Sequence, residues 1–198
     1  MKRVCAVLLL AVITTIVSAS PITGLLERID RGASKKFIIE EVKSDTDFFE
    51  LDQKGSRVVI RGNNSVSIAT GLNWYLKYYA GIHLSWNGMT ATLPDVLPPV
   101  MKKERHETKL PWRYDLNYCT YSYSMAFWDW ERWEKEIDWM ALHGINLPLA
   151  ITGTETVWYN VLQKLGYNKT EIDEFISGPG FFAWWLMNNL EGWGGPNP

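Results

Sequence analysis

The sequence predicts an α/β protein in which a small N-terminal α+β domain precedes the first units of an incomplete (β/α)8 TIM barrel. Three observations lead there. Residues 37–61 hold three short runs of β-branched and aromatic residues, and a helical pattern follows them. From Arg113 to Leu165 the order is strand, helix, strand, helix, which is the βαβ pattern of parallel neighbours joined by right-handed crossovers. A whole barrel takes ~250 residues, whereas 87 run from Trp112 onward, enough for about two units. The expectation is therefore the N-terminal part of a longer protein, with an open sheet edge where the next unit would pair.

Residues 1–19 read as a signal peptide. Lys2 and Arg3 form a positive start, Val4 to Val17 is apolar, and Val17-Ser18-Ala19 offers small residues for cleavage. The apolar run is shorter than the ~20 residues that cross a bilayer, so no stable membrane span is expected. Its removal takes away two positive charges and no acid, moving the net charge from −2 to −4. No basic stripe is present, which excludes nucleic acid as the partner. Cys119 is then the only cysteine, so an exported chain must be held by packing rather than by an internal disulfide. The expected compartment is periplasmic or extracellular, or lysosomal in a eukaryotic host. There the triplets beginning at Asn63 and Asn168 would be glycosylation acceptors.

Residues 20–108 form the leading domain. Ile22, Leu25, Leu26 and Ile29 have the spacing of an amphipathic helix. Strands are expected at Phe37–Val42, Asp47–Leu51 and Arg57–Arg61. Ser65 is then placed to cap a helix running to about Ala80, and Ile82–Trp86 returns as a strand. The Pro-rich stretch from Leu93 reads as a connector, and the charged run Lys102–Glu107 as a solvated segment.

Residues 109–198 begin the barrel. Arg113–Cys119 is expected as its first strand and Thr120–Phe127 as a loop. Asp129 caps a helix whose Trp130, Trp133, Ile137, Met140 and Ala141 share one face, with Trp130, Trp133 and Trp139 assigned to the core. Gly144 stops it. Ile145–Ile151 is apolar enough for a strand buried on both faces, although Pro148 removes a ladder donor. A helix follows from Glu155 to Leu165. Thr170 resembles the start of a capping box, and Pro179 the first residue of a last helix.

In β/α barrels the site lies at the C-terminal ends of the strands. Those ends are Asn117–Cys119 and Thr152–Glu155. Asn117 can donate to and accept from a sugar hydroxyl or acetamido group, and Cys119 is a small wall residue with no base placed to activate it. Glu155 either binds a hydroxyl, orients a catalytic group, or favours its helix N-terminus. Nine of the 11 Trp lie at or after Trp112. Of the aromatic residues, Tyr121, Tyr123, Phe127, Trp128, Trp184, Trp185 and Trp193 are candidates for sugar-stacking walls. No phosphate loop, dinucleotide fingerprint or metal-ligand spacing occurs, and no cofactor is expected.

The runs Asn117–Ser124, Trp128–Leu147 and Phe175–Trp184 together resemble the α-N-acetylglucosaminidase family of glycoside hydrolases. Residues 21–111 look similar to that family's small N-terminal domain. The resemblance implies a three-domain exo-enzyme that removes terminal α-linked N-acetylglucosamine from a glycan, with retention of configuration and two glutamates. Such a pair sits ~5 Å apart, one as nucleophile and one as acid/base. It also implies that both glutamates come from later barrel strands, that no catalytic residue falls within this chain, and that the chain is inactive alone. Carried over by position, Asn117, Cys119 and Trp184 would contact the sugar, and Glu155 matches an acidic residue after the second strand. The alternative from a different class is a non-catalytic carbohydrate-binding module with an aromatic stacking surface.

Overall fold

The computed structural model describes residues 20–178 and Gly180. The signal-peptide reading of residues 1–19, the helix expected from Pro179, and Trp184, Trp185 and Trp193 lie outside them. Helix α1, Pro21–Ile29, starts with Pro at its first position, where a missing N–H costs nothing, and Ser20 caps it. A short 3-10 turn at Ala33–Lys36 leads into strands β1 (Phe37–Glu41), β2 (Asp47–Lys54) and β3 (Arg57–Gly62). The sheet is mixed. β1 pairs parallel to β3, and β2 runs antiparallel to it.

Helix α2, Ser65–Tyr78, covers one face of this sheet. Its N-cap is Asn64, not the expected Ser65: Asn64 Oδ1 accepts from the Ser67 N–H at 2.9 Å. Helix and sheet approach closely at Gly71, where a Cβ would meet Ile60 and Phe49 side-chain atoms at 3.0 Å. Leu51, Val58, Ile60, Ile68, Leu72, Tyr75 and Leu76 form the centre of the core with α1. Burial pushes the Tyr75 hydroxyl up to about 12, and that hydroxyl donates to Pro98 O at 2.7 Å.

Two expectations for this domain are corrected. The expected strand Ile82–Trp86 is irregular, because the Ile82 N–H is spent on Leu76 O at the end of α2 and Ser85 bridges only to Gly88. The strand on that edge comes instead from the charged run. β4, Glu104–Thr108, lies antiparallel to β2 and gives the order β1-β3-β2-β4. Its residues alternate between exposed and partly buried, and charged side chains on an edge strand discourage pairing with another chain.

The later segment holds β5 (Tyr114–Asp115), α3 (Tyr118–Tyr123), α4 (Trp130–Leu142), β6 (Leu147–Pro148), α5 (Thr154–Lys164) and α6 (Lys169–Phe175). β5 and β6 pair in parallel, as the βαβ reading requires. The strands are far shorter than expected, and β6 is exposed rather than buried on both faces. Pro148 fits because the Leu147 and Leu149 N–H groups on either side of it donate to Arg113 O and Asp115 O. Pro148 therefore faces away from β5. The capping box belongs to Asn168 with Glu171, two residues earlier than Thr170 would place it. Among the described residues, no helix is long and apolar enough to cross a membrane.

The two parts share a core. Leu142, at the end of α4, is fully buried in the cluster built by α1, α2 and the sheet. Here the helical pattern misled: Trp130 is 69% exposed and Ile137 is 47% exposed, while Glu136 and Asp138 are buried. The inward face of α4 is part polar, Glu136 and Asp138 beside Met140 and Leu142, because the two carboxylates meet partners there. Asp138 takes two hydrogen bonds from Arg28, at 2.6 and 2.7 Å, and Glu136 accepts from Trp86 Nε1 at 2.6 Å. Asp47 closes a further junction, accepting from Arg113 Nη2 at 2.6 Å and from the Asn63 and Asn64 amides at 2.9 and 2.8 Å.

Candidate functional site

Between α3, the start of α4, α5 and α6 lies a groove of about 820 Å³. Tyr121, Trp128 and Trp133 wall one side of it. Glu155, Thr156 and Tyr159 from α5 and Asp173 from α6 supply polar groups opposite. The aromatic wall is a connected stack. Trp128 and Trp133 meet edge to face at 5.2 Å, and Trp133 stacks on Tyr121 at 5.8 Å. Tyr121 is fixed in turn by donating its hydroxyl to Leu149 O beside β6, and burial raises its pKa. Edge-to-face and offset ring pairs are favoured by the aromatic quadrupole, so the wall has one preferred packing.

The structure revises how the predicted residues are presented. Asn117 does not end a strand. Leu116 adopts a left-handed conformation (φ 71°) after β5, its N–H bonded to Asp115 Oδ1, and the chain turns directly into α3. Asn117 is the N-cap of that helix, its Oδ1 accepting from the Thr120 N–H and Oγ1 at 3.1 Å. Cys119 lies inside the first turn of α3, half-buried. The first half of the expected loop 120–127 is therefore helical. A left-handed Leu at the C-terminal end of a barrel-type strand is backbone strain of a kind that collects at functional sites. Nothing in the sequence marks it, because Leu carries no turn preference.

Glu155 lines the groove and also sits in the first turn of α5, where its charge favours the helix N-terminus. Asn117 and Cys119 are not among the groove's lining residues, and Trp184 lies outside the described ones. Phe127 and Tyr123, expected as wall residues, point outward and are strongly exposed, whereas Trp133, assigned to the core, faces the groove. Sequence reasoning also missed Tyr159 and Asp173. Their only signal was helical spacing from Glu155 and from the Asn168 cap. Among the described residues, no group of His, Cys, Asp or Glu is arranged to hold a metal ion.

Comparison with known proteins decides the family. The α-N-acetylglucosaminidase (NAGLU) N-terminal domain matches residues 20–99, and the tim-barrel domain of the same family matches residues 113–198. The chain belongs to the α-N-acetylglucosaminidase family of glycoside hydrolases. Human α-N-acetylglucosaminidase is 46% identical over 157 residues, which are 79% of this chain and 21% of that protein. A family 89 glycoside hydrolase from Clostridium perfringens, solved in complex with PUGNAc, is 43% identical with a TM-score of 0.81. It covers 87% of this chain and 20% of its own. A form of that enzyme with two glutamates changed to glutamine has been solved with its substrate GlcNAc-α-1,4-galactose, at 43% identity and a TM-score of 0.80. The chain thus spans about a fifth of the length of these relatives.

Proposed function

We propose that this chain is the N-terminal part of an exported, retaining exo-glycosidase that hydrolyses terminal α-linked N-acetylglucosamine. In this reading residues 1–19 are a signal peptide, residues 20–108 the leading domain, and residues 109–198 the start of the (β/α)8 barrel. The observation that carries it is the 43% identity and TM-score of 0.81 to a glycosidase of which the chain spans only 20%. Four-fifths of such an enzyme lies elsewhere, and the nucleophile and acid/base glutamates belong to that remainder.

The residues here bind rather than cut. Trp128, Trp133 and Tyr121 offer apolar ring faces to a pyranose. Asn117, Cys119 and Trp184, the positions that the family resemblance carries over, contact the sugar together with Glu155, which lines the groove. Asn117 keeps its amide N–H groups for an acetamido oxygen while its own oxygen caps α3. The partner is a glycan with a terminal α-N-acetylglucosamine, and no cofactor takes part.

The test is hydrolysis of an aryl α-N-acetylglucosaminide by the 198-residue chain and by the full-length protein, with the product anomer followed by NMR. Turnover with α-anomer first in the full-length protein, and none in the chain, supports the reading. Turnover by the chain alone overturns the placement of the glutamates. Sugar affinity with no turnover in either form would instead fit a carbohydrate-binding module.

A further inference from the structure

One wall of the groove is anchored in the other domain. Trp86 lies in a tight turn of the leading domain, closed by reciprocal hydrogen bonds between Ser85 and Gly88 at 3.0 Å. Its indole N–H donates to Glu136 Oε2, and Glu136 is 2% exposed. The same carboxylate lies 3.3 Å from Arg132 Nη1, one helical turn earlier on α4. The Arg132 guanidinium packs over both indoles, 4.7 Å from the Trp86 ring and 3.9 Å from the Trp128 ring, in the corner the two rings form. Its Nη2 is buried with no hydrogen-bond partner among the described residues, and the ring faces are what compensate that nitrogen. Trp86 and Trp128 are themselves 5.9 Å apart. A continuous series of contacts therefore runs from Trp86 through Arg132 to Trp128, Trp133 and Tyr121, the last three facing the groove.

We propose that Trp86, Arg132 and Glu136 are positioning residues that fix the Trp128 wall of the sugar groove. The leading domain thereby tunes substrate binding without touching the substrate. The inference rests on the sugar-pocket reading above. Glu136 locks the guanidinium plane, and the plane of Arg132 sets the tilt of Trp128. Lys at position 132 would keep the charge but lose the planar stack.

The test uses full-length protein labelled with 5-fluorotryptophan, with the Trp128 signal assigned through Trp128→Phe. Trp86→Phe keeps a ring face for Arg132 and loses the N–H donor, while Trp86→Ala loses both. The expected result is a shifted and broadened Trp128 signal, larger for Trp86→Ala than for Trp86→Phe. KM for an aryl α-N-acetylglucosaminide should rise roughly three- to tenfold, the scale of a lost ring contact, with kcat changed less than about twofold. Arg132→Lys should match Trp86→Ala. In a Trp128→Ala background, Trp86→Ala should add no further rise in KM, since coupled residues are not additive. An unmoved Trp128 signal in Trp86→Ala overturns the proposal, as does a moved signal with unchanged KM, or an equal fall in kcat that marks simple loss of folded enzyme. Absence of turnover in the wild-type protein sinks the functional reading instead, and the fluorine signal then decides alone whether Trp86 positions Trp128.

Discussion

The leading domain and the segment after Pro111 differ in what their helices bury. In the first, α1 and α2 close over a mixed sheet, and the core is Leu, Ile, Val, Phe, Tyr and Ala in contact with one another. In the second, α4 turns Glu136 and Asp138 inward and leaves Trp130 and Ile137 outside, and α5 buries none of its residues. Val157, Trp158 and Val161 of α5 are all exposed. A helix that is apolar on an uncovered side is built to pack against something further. The leading domain holds the main apolar core, which Leu142 of α4 joins, whereas the rest of the junction includes the Arg28–Asp138 and Arg113–Asp47 ion pairs, and α5 keeps its apolar side exposed.

The largest effect that would break this contrast is in the core. Leu72→Ala should cost about 2–5 kcal/mol by removing a fully buried side chain between helix and sheet. Trp130→Ala, at an exposed site, should stay within about 0.5 kcal/mol. Urea unfolding of the chain checks both, and a comparable cost at Trp130 would contradict the contrast. Next comes the polar seam. Arg28→Ala leaves the buried Asp138 carboxylate without its bidentate partner, and about 1.5–3 kcal/mol is expected, read in the same way.

The seam should also respond to acid. Burial alone would raise the Asp47 carboxyl, but hydrogen bonds from Asn63, Arg113 and Asn64 outweigh it and hold the pKa below the ordinary value. Glu50, inside the leading domain, is depressed likewise: burial opposes the shift, and Lys103 and Arg61 overcome it. A carboxylate with a lowered folded-state pKa stabilises the fold above its unfolded pKa and loses that contribution as pH falls through the folded one. Thermal midpoints should therefore fall on acidification below about pH 4, and Asp47→Asn should flatten part of that fall. The smallest effect is local. Asn168→Ala should cost about 1 kcal/mol and fray α6, detected as lost amide protection there, with the sheet unchanged.

The parts legible in the sequence are those where periodicity and burial agree. The three strands and α2 were readable because apolar residues there alternate or recur every third or fourth position and do end up inside. α4 was placed correctly by Asp129 and Gly144, yet its inward face was misjudged. Hydrophobic spacing cannot show that Arg28 and Trp86, far away in sequence, would bring donors to Asp138 and Glu136. β4 was hidden because an edge strand can be charged throughout and still pair. At the candidate site Tyr121 and Trp128 were legible from composition, whereas Trp133 was assigned to the core and Tyr123 and Phe127 to a wall they turn away from. The left-handed turn at Leu116, which converts Asn117 from a strand end to a helix cap, left no mark in residue type.

Hydrogen exchange on the 198-residue chain and on the full-length protein tests the central contrast most directly. Amides of α2 and β3 should be strongly protected in both, and those of α5 weakly protected in the chain and far more so in the full-length protein. Equal protection of α5 in the two forms would contradict the account, because its apolar face would then need no further barrel to cover it.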